Sequence, residues 1–271
     1  MTTHRSYHNP PIALAILEIR HPSTGYLTRG DVISLKQALL KIAPLMKEET
    51  VTEVQFPITP NPGVQPRTSV KTNHRFLTRD KQTSITFGAD FLNVETTAYT
   101  HWSDLKALAQ TAIDARLSTS VVDGVERVGI RLIDEVRVPS EEEEPRWSDW
   151  VVPSLLAPEF PEESLKRVQQ QFVVQYALPE PGTTLSLSYG AVNGPPAVDS
   201  GVNLVRANVP DPGFYFLIDT DAAWAPLPGN SVPEFDSEFI LRTADTLHVP
   251  ATALFERLIT DKLRDEVLVH A

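Results

Sequence analysis

Two aspartates at the end of an apolar strand are the residues best placed to do chemistry. Asp219 and Asp221 close the segment Phe214 to Asp221, which is predicted to be a strand. Because side chains alternate across a strand, both carboxylates point to the same face. Hard divalent cations such as Mg²⁺ bind clustered oxygen ligands, so the pair is a candidate magnesium site. Strand-end aspartates also cap loops or pair with neighbouring arginines, so a purely structural role is the alternative.

Three arginines on another strand form a second candidate site. The segment Val125 to Pro139 alternates apolar and charged residues, which predicts a long strand with one buried face. Arg127, Arg131 and Arg137 lie on its other face. A guanidinium within a sheet needs a planar acceptor, so an ion pair is predicted for Arg131, with an anionic ligand or an RNA phosphate as the alternative. Its candidate partners are Asp134, Asp219 and Asp221.

Other local signatures of catalysis or metal ligation are missing from the sequence. There is no cysteine, which excludes disulfides and thiolate nucleophiles. The histidines form neither His-x-His nor His-Glu-x-x-His, and there is no nucleotide-binding glycine loop and no Gly-x-Ser-x-Gly motif. His101 and His248 are predicted at helix ends, where an imidazole caps or packs, with catalysis as the alternative.

The charge balance narrows the possible partners. The formal net charge is -11 at pH 7. This balance argues against nonspecific binding to nucleic acid, because neutralising phosphates needs a surplus of Lys and Arg. The apolar run from Ile12 to Leu17 is too short to span a membrane and is not followed by a small-residue cleavage site. We therefore expect a cytoplasmic protein that does not bind membranes.

Hydrophobic spacing predicts an α+β chain, with antiparallel sheets that carry helices on one face. From Met1 to Pro139 the predicted elements are strand, helix, two or more antiparallel strands, helix and strand. This is the β-α-β-β-α-β order of ferredoxin-like domains. The second helix is predicted from Trp102 to Leu117, directly before the strand that bears the arginines.

The composition changes after this ferredoxin-like half. Residues 140–162 are acidic and rich in proline, which predicts a solvated linker. Residues 163–271 are predicted to form a second α+β half packed on the first, in which strands precede two helices. Pro250 is expected to separate those helices, because proline suits a first helical position and disfavours helix in the residue before it.

Several short motifs occur in an order that is familiar from one family. They are Tyr-x-x-Pro-Pro-Ile at Tyr7, ITFGADFLNVE at Ile85, Tyr99 with HWSDL, RVGIRLIDEV at Arg127, FLIDTD at Phe216 and LHVPATALFERLIT at Leu247. Together they resemble a sporadically distributed family of uncharacterised bacterial proteins of about this length. The chain departs from that family at Arg131 to Asp134, where Arg-Tyr-Ile-Asn is expected. The resemblance implies no activity, and the patchy distribution suggests defence or toxin-linked cassettes.

We therefore expect a non-enzymatic protein-binding module, an accessory or partner of a bacterial defence or toxin-linked system, without a cofactor. The contact loops are predicted at Pro60 to Thr72 and Ser140 to Pro153, with Trp147 and Trp150 as aromatic anchors.

Two alternatives stand beside that expectation. One is a magnesium-dependent enzyme or binder that acts on nucleotide or RNA phosphates, with Asp219 and Asp221 as ligands and Arg131 as the phosphate clamp. The other is a homo-oligomer built through an exposed strand edge.

Overall fold

The computed structural model describes residues 7–55, 67–140, 144–158, 170–198, 201 and 204–269. Its strands are β1 (Ile12–Arg20), β2 (Leu45–Gln55), β3 (Arg67–Leu77), β4 (Thr83–Phe87), β5 (Phe91–Thr96), β6 (Arg127–Val136), β7 (Phe172–Ala177), β8 (Thr183–Gly194) and β9 (Gly213–Trp224). Its α-helices are α1 (Arg29–Leu39), α2 (Trp102–Leu117), α3 (Ser237–Leu258) and α4 (Asp261–Leu263). The α+β class predicted from the sequence is confirmed.

The described strands form one antiparallel sheet of nine, in the order β2-β3-β4-β5-β1-β6-β9-β8-β7. β9 pairs with β6 along most of its length, from Val128↔Trp224 to Val136↔Phe216. The strands of the second half therefore extend the sheet of the first half sideways. The sequence predicts separate sheets, but the structure has a single one. The reason is that β9 pairs with the side of β6 that faces away from β1.

One face of the sheet is covered by helices and carries the core. α2 contacts β5, and α3 contacts both β6 and β9. Burying an aliphatic side chain on this face contributes about 2 kcal/mol. Alternate residues of the two central strands are buried there, as the period of two predicts: Ala15, Leu17 and Ile19 in β1, and Val128, Ile130 and Leu132 in β6.

α3 runs without a break through Pro250, so the predicted division into two helices is wrong. A proline inside a helix removes one backbone hydrogen bond and crowds the preceding turn. The apolar face of α3 continues on both sides of the proline, with Leu247, Ala251 and Phe255 among its buried residues. Packing of this face on the sheet holds the helix together across Pro250. No helix in the described ranges combines the length and hydrophobicity needed to cross a membrane.

The two ends of the described chain lie side by side. The backbone N–H of His8 donates to the carbonyl of Val269 at 2.9 Å, and that of Asn9 donates to the carbonyl of Leu268 at 3.1 Å. The segment that leads into β1 is therefore held against the segment that follows α4. This contact brings Tyr7 beside α3, where its hydroxyl donates to Glu256.

The predicted linker contains ordered structure where it is described. Two 3-10 helices span Trp147–Asp149 and Pro153–Leu155. Residues 141–143 of the acidic run and residues 159–162 lie outside the described residues. The same holds for residues 60–66 of the first predicted contact loop, whereas residues 67–72 belong to strand β3.

Candidate functional site

A cavity of about 540 Å³ opens between α2 and α3 at one end of the sheet. Its volume lies within the roughly 300 to 1,000 Å³ typical of small-molecule sites. Four segments that are far apart in sequence line it: the approach to β1, the start of α2, the end of β6 and the second half of α3. Only the tertiary fold brings these segments together.

Asp134 is the buried acid of this cavity. It follows Leu132 in the row of alternate β6 residues that face the helices, so the strand carries its carboxyl into the core. The residue is 3% exposed, and within the described part of the chain its carboxyl makes no hydrogen bond. Burial, together with the negative charges of Asp219 and Glu256, raises the pKa of Asp134 to about 8. The carboxyl is therefore mostly protonated at pH 7.

Tyr99 and His248 form a polar contact on the wall of the cavity. The Tyr99 hydroxyl lies 3.2 Å from Nε2 of His248. The imidazole stacks on the indole of Trp102, with ring centroids 4.5 Å apart and planes 11° from parallel. Burial, with the charges of Asp134 and Asp104, raises the pKa of Tyr99 to about 12. The phenol therefore keeps its proton at neutral pH.

Glu256, which lines the cavity, forms hydrogen bonds with Tyr7 and with Arg264, the residue that follows α4. Both of its carboxylate oxygens lie within hydrogen-bond distance of the Tyr7 hydroxyl, at 2.8 and 2.9 Å. The guanidinium of Arg264 donates from Nε to the same carboxylate at 3.2 Å. Glu256 thus has partners within the fold, whereas the carboxyl of Asp134 has none in the described residues.

The walls of the cavity are apolar and acidic. Among the residues that the structure describes, two carboxyl groups, from Asp134 and Glu256, line it, and no Lys or Arg does. Such a surface offers a phosphate no ammonium or guanidinium partner, and its carboxyl groups can accept a hydrogen bond from a ligand donor. Three imidazoles and two hydroxyls also line the cavity, from His8, His101, His248, Thr100 and Thr252. The remaining contacts come from aromatic and aliphatic side chains: Tyr7, Tyr99, Trp102 and Phe255, with Pro10, Pro11, Ile12, Leu132, Val249 and Ala253.

The residues predicted from the sequence lie on the opposite face of the sheet and pair with one another. Arg131 donates to both carboxylate oxygens of Asp219 at 2.8 and 2.6 Å. Arg127 donates to both oxygens of Asp221 at 2.9 and 3.0 Å and to Glu18 at 2.7 Å. These are the planar, two-pronged contacts that guanidinium and carboxylate groups favour. Each aspartate is therefore already held by an arginine.

Arg137 takes part in a separate cluster on that face. Its Nε donates to Glu135 at 2.5 Å, and its guanidinium lies 5.1 Å from the centre of the Tyr215 ring. Arg206, from the connection between β8 and β9, donates to the other oxygen of Glu135 at 2.7 Å. Arg137 also donates to the carbonyl of Asp211 at 3.0 Å, so it helps to hold this connection at the end of β6 and does not join Arg127 and Arg131 in one site.

Trp147 and Trp150 are buried, at 4% and 6% exposure, so the expectation that they lie on an exposed loop is wrong. Trp147 packs against Phe216 with ring centroids 5.4 Å apart, and the ammonium of Lys262 covers the ring of Trp150 at 4.3 Å. Large aromatic side chains contribute most when they are withdrawn from water. Both indoles therefore belong to the core and are unavailable as exposed anchors.

Magnesium binding by Asp219 and Asp221 stays a prediction that thermal melting can test. No cluster of three or more His, Asp or Glu side chains suited to a metal ion occurs among the described residues. Because each carboxylate is held by a guanidinium, we expect Mg²⁺ to leave the Tm unchanged in both the parent and Asp219→Asn. A rise that appears in the parent and is lost in the variant supports the metal site instead.

Sequence reasoning missed Asp134 as a functional residue, although a signal was present. The period of two that places Val128, Ile130 and Leu132 on the buried face also places Asp134 there. A lone acid in an otherwise apolar row is a polar group at a core position, which needs a reason. The same period puts Asp134 on the face opposite Arg131, which excludes the ion pair that the sequence left open.

Comparisons with known proteins give no further identification: no protein-family model matches the chain, and no curated protein matches it. The bacterial family that the motifs resemble therefore stays a prediction.

Proposed function

We propose that this chain binds a small organic cation, an amine with an apolar body, in the cavity lined by Asp134. The observation that supports this function is a buried carboxyl without a partner among the described residues, in a cavity with apolar and aromatic walls. A buried polar group without a hydrogen bond costs stability, so folding alone gives no reason to keep it. A ligand ammonium supplies the missing partner.

The surrounding residues suit such a ligand. An ammonium group that enters the cavity pairs with Asp134, and the carboxyl releases its proton to solvent as the pair forms. Aromatic rings attract a cation that lies over their faces, and Tyr7 and Phe255 line the cavity, while the aliphatic wall residues can contact the apolar body. A nucleotide or phosphate finds no Lys or Arg among the described lining residues.

Isothermal titration calorimetry with phenethylamine tests the function. At pH 7 we expect binding to release close to one proton per site, read from the dependence of the heat on the ionisation enthalpy of the buffer. The similarly shaped probes 2-phenylethanol and phenylacetate lack the positive charge and should bind more weakly. Asp134→Asn should lower the affinity for the amine by on the order of 100-fold, because it removes the negative partner.

Asp123→Asn is the matched control, because Asp123 is exposed and does not line the cavity. It should leave amine binding and proton release unchanged. Amine binding that survives Asp134→Asn contradicts the proposed function. Tighter binding of the alcohol, retained by Asp134→Asn, would assign the cavity to a neutral ligand instead.

The protein-binding function expected from the sequence stays a prediction, as do the link to defence or toxin cassettes and the cytoplasmic location. Because Trp147 and Trp150 are buried, a partner would have to contact other residues. Affinity purification from the native host that recovers no stoichiometric companion argues against this function.

We infer that β1, β4, β5 and β6 form a ferredoxin-like unit with α1 and α2. Their order in the sheet, β4-β5-β1-β6 with every pairing antiparallel, supports this inference. The antiparallel pair β2 and β3 lies beyond β4, and β9, β8 and β7 extend the other side of the unit. A fragment ending at Pro139 that gives no cooperative melt would count against an independent unit.

A further inference from the structure

The strand β7 forms one edge of the sheet and is unusually exposed. Among the described strands it pairs with β8 alone. Its sequence FVVQYA contains no charged residue and no proline. Val173 is 66% exposed, Tyr176 43% and Phe172 38%. An uncharged strand with one free side is a template for pairing with another strand.

The opposite edge of the same sheet shows the protection that β7 lacks. β2 has the sequence LMKEETVTEVQ, and Lys47, Glu48 and Glu49 stand next to one another in its first half. Charged residues on an edge strand hinder the approach of a second strand, because pairing would bury them or place like charges together. The charged residues of β2 therefore protect that edge against pairing with another strand, whereas β7 has no charged residue to do so.

Apolar side chains lie on both faces of β7. Phe172, Val174 and Tyr176 are opposite Tyr189, Leu187 and Leu185 of β8, so they continue the buried row of that strand toward the edge. The Phe172 ring stacks on Tyr189, with centroids 5.4 Å apart. Val173 points to the other face. A strand that pairs with β7 would cover apolar surface on both sides of the sheet.

We propose that β7 pairs with β7 of a second copy of this chain, to form a symmetric dimer with one continuous sheet. A twofold axis through Val174 makes the strand its own antiparallel partner, and antiparallel is the direction of every pairing in the described sheet. In this register Phe172 of each copy lies opposite Tyr176 of the other copy. Aromatic pairs across two strands are among the favourable cross-strand contacts.

The composition of β7 favours a second copy as the occupant. In the proposed register the uncharged strand places no like charges opposite one another, so self-pairing meets no local repulsion. Each copy carries a net charge of -11, which opposes association at long range. Salt screens that repulsion, so added NaCl should strengthen the dimer. None of the β7 residues lines the cavity, so substitutions in β7 leave the cavity lining unchanged.

Analytical ultracentrifugation of the full chain tests the dimer. We expect the parent to sediment at twice the chain mass of 30.1 kDa. Tyr176→Lys and Val173→Lys, each at an exposed side chain of β7, should sediment as monomers with unchanged melting curves. Val51→Lys, at an exposed residue of the opposite edge strand, is the matched control and should remain dimeric.

Three results would overturn the dimer. One is a parent that stays monomeric over a wide range of concentration and salt. Another is a dimer that persists in both β7 variants while they remain folded. The third is an open series of larger assemblies, because a twofold contact through one edge closes at two copies. Binding of another protein through β7 by a monomeric parent is a case of the first result.

Discussion

Asp134→Asn is expected to raise the free energy of unfolding by about 4 kcal/mol at pH 7. Burial and the negative charges of Asp219 and Glu256 raise the pKa of Asp134 to about 8, from an ordinary value of 3.8. At pH 7 the folded chain therefore keeps a proton that the unfolded chain has lost, and taking up that proton opposes folding. An amide of the same shape has no proton to take up, so folding of the variant does not include the free energy of protonating a carboxylate.

The sign of the effect fixes its pH dependence. For an acid whose pKa is raised by folding, the cost is absent below the unfolded pKa, grows between the two pKa values and is complete above the folded pKa. The advantage of Asp134→Asn should therefore grow from about 2 kcal/mol near pH 5 to about 6 kcal/mol near pH 9.

Urea denaturation of both proteins across this pH range measures the difference. The groups around Asp134, namely Tyr99, Glu256, His248 and Asp219, are the same in both proteins, so the comparison isolates the side chain at position 134. An advantage that does not change with pH would contradict the raised pKa. A loss of stability in the variant would show that the carboxyl has a partner in the fold.

The stability gain and the loss of amine binding come from the same substitution. A residue that costs the fold stability and has no structural partner among the described residues fits a ligand-binding role better than a packing role. If Asp134→Asn shows both effects and Asp123→Asn shows neither, then the stability gain and the loss of amine binding both arise from Asp134. A gain in stability without any effect on binding would leave the raised pKa intact and remove the proposed function.

Glu135→Ala is expected to lower the free energy of unfolding by about 3 kcal/mol. The side chain of Glu135 is fully buried and accepts hydrogen bonds from Arg137, from Arg206 and from the backbone N–H of Ala197, at 2.5, 2.7 and 2.9 Å. Removing the carboxylate leaves two largely buried guanidiniums beside an empty space. Urea denaturation at neutral pH measures the loss.

Glu238→Ala is the control for this substitution. Glu238 is 86% exposed and, among the described residues, meets only the guanidinium of Arg242 at 4.0 Å, a contact that should change stability by less than about 0.5 kcal/mol. Glu135→Gln keeps the shape and one acceptor, so it should fall between the two alanine variants. Equal losses in Glu135→Ala and Glu238→Ala would contradict a structural role for the Glu135 cluster.

Hydrogen exchange gives a local measure of the same cluster. The backbone N–H of Ala197 donates to Glu135, which holds the connection between β8 and β9 against the end of β6. In Glu135→Ala this amide loses its acceptor and should exchange faster. Amides in the middle of β1 should change only as far as the global stability does.

Patterns with a short period were predictable from the sequence. The alternation of β6, the helix from Trp102 to Leu117 and the shared face of Arg127 and Arg131 all match the structure. Each of these follows from the geometry of one strand or one helix, in which the side-chain direction repeats every two or every 3.6 residues. The residue types within one strand or helix are therefore enough to predict which side chains share a face.

The sequence by itself determined an α+β chain, its alternating central strand and the polar row of arginines and aspartates, because these depend on local backbone geometry. The tertiary structure alone decided that one sheet joins both halves, that α3 passes through Pro250, that two tryptophans are buried and that Asp134 lines a cavity. These features depend on which distant segments pack together. Packing at long range balances many small contacts against chain entropy, and no short stretch of sequence encodes that balance.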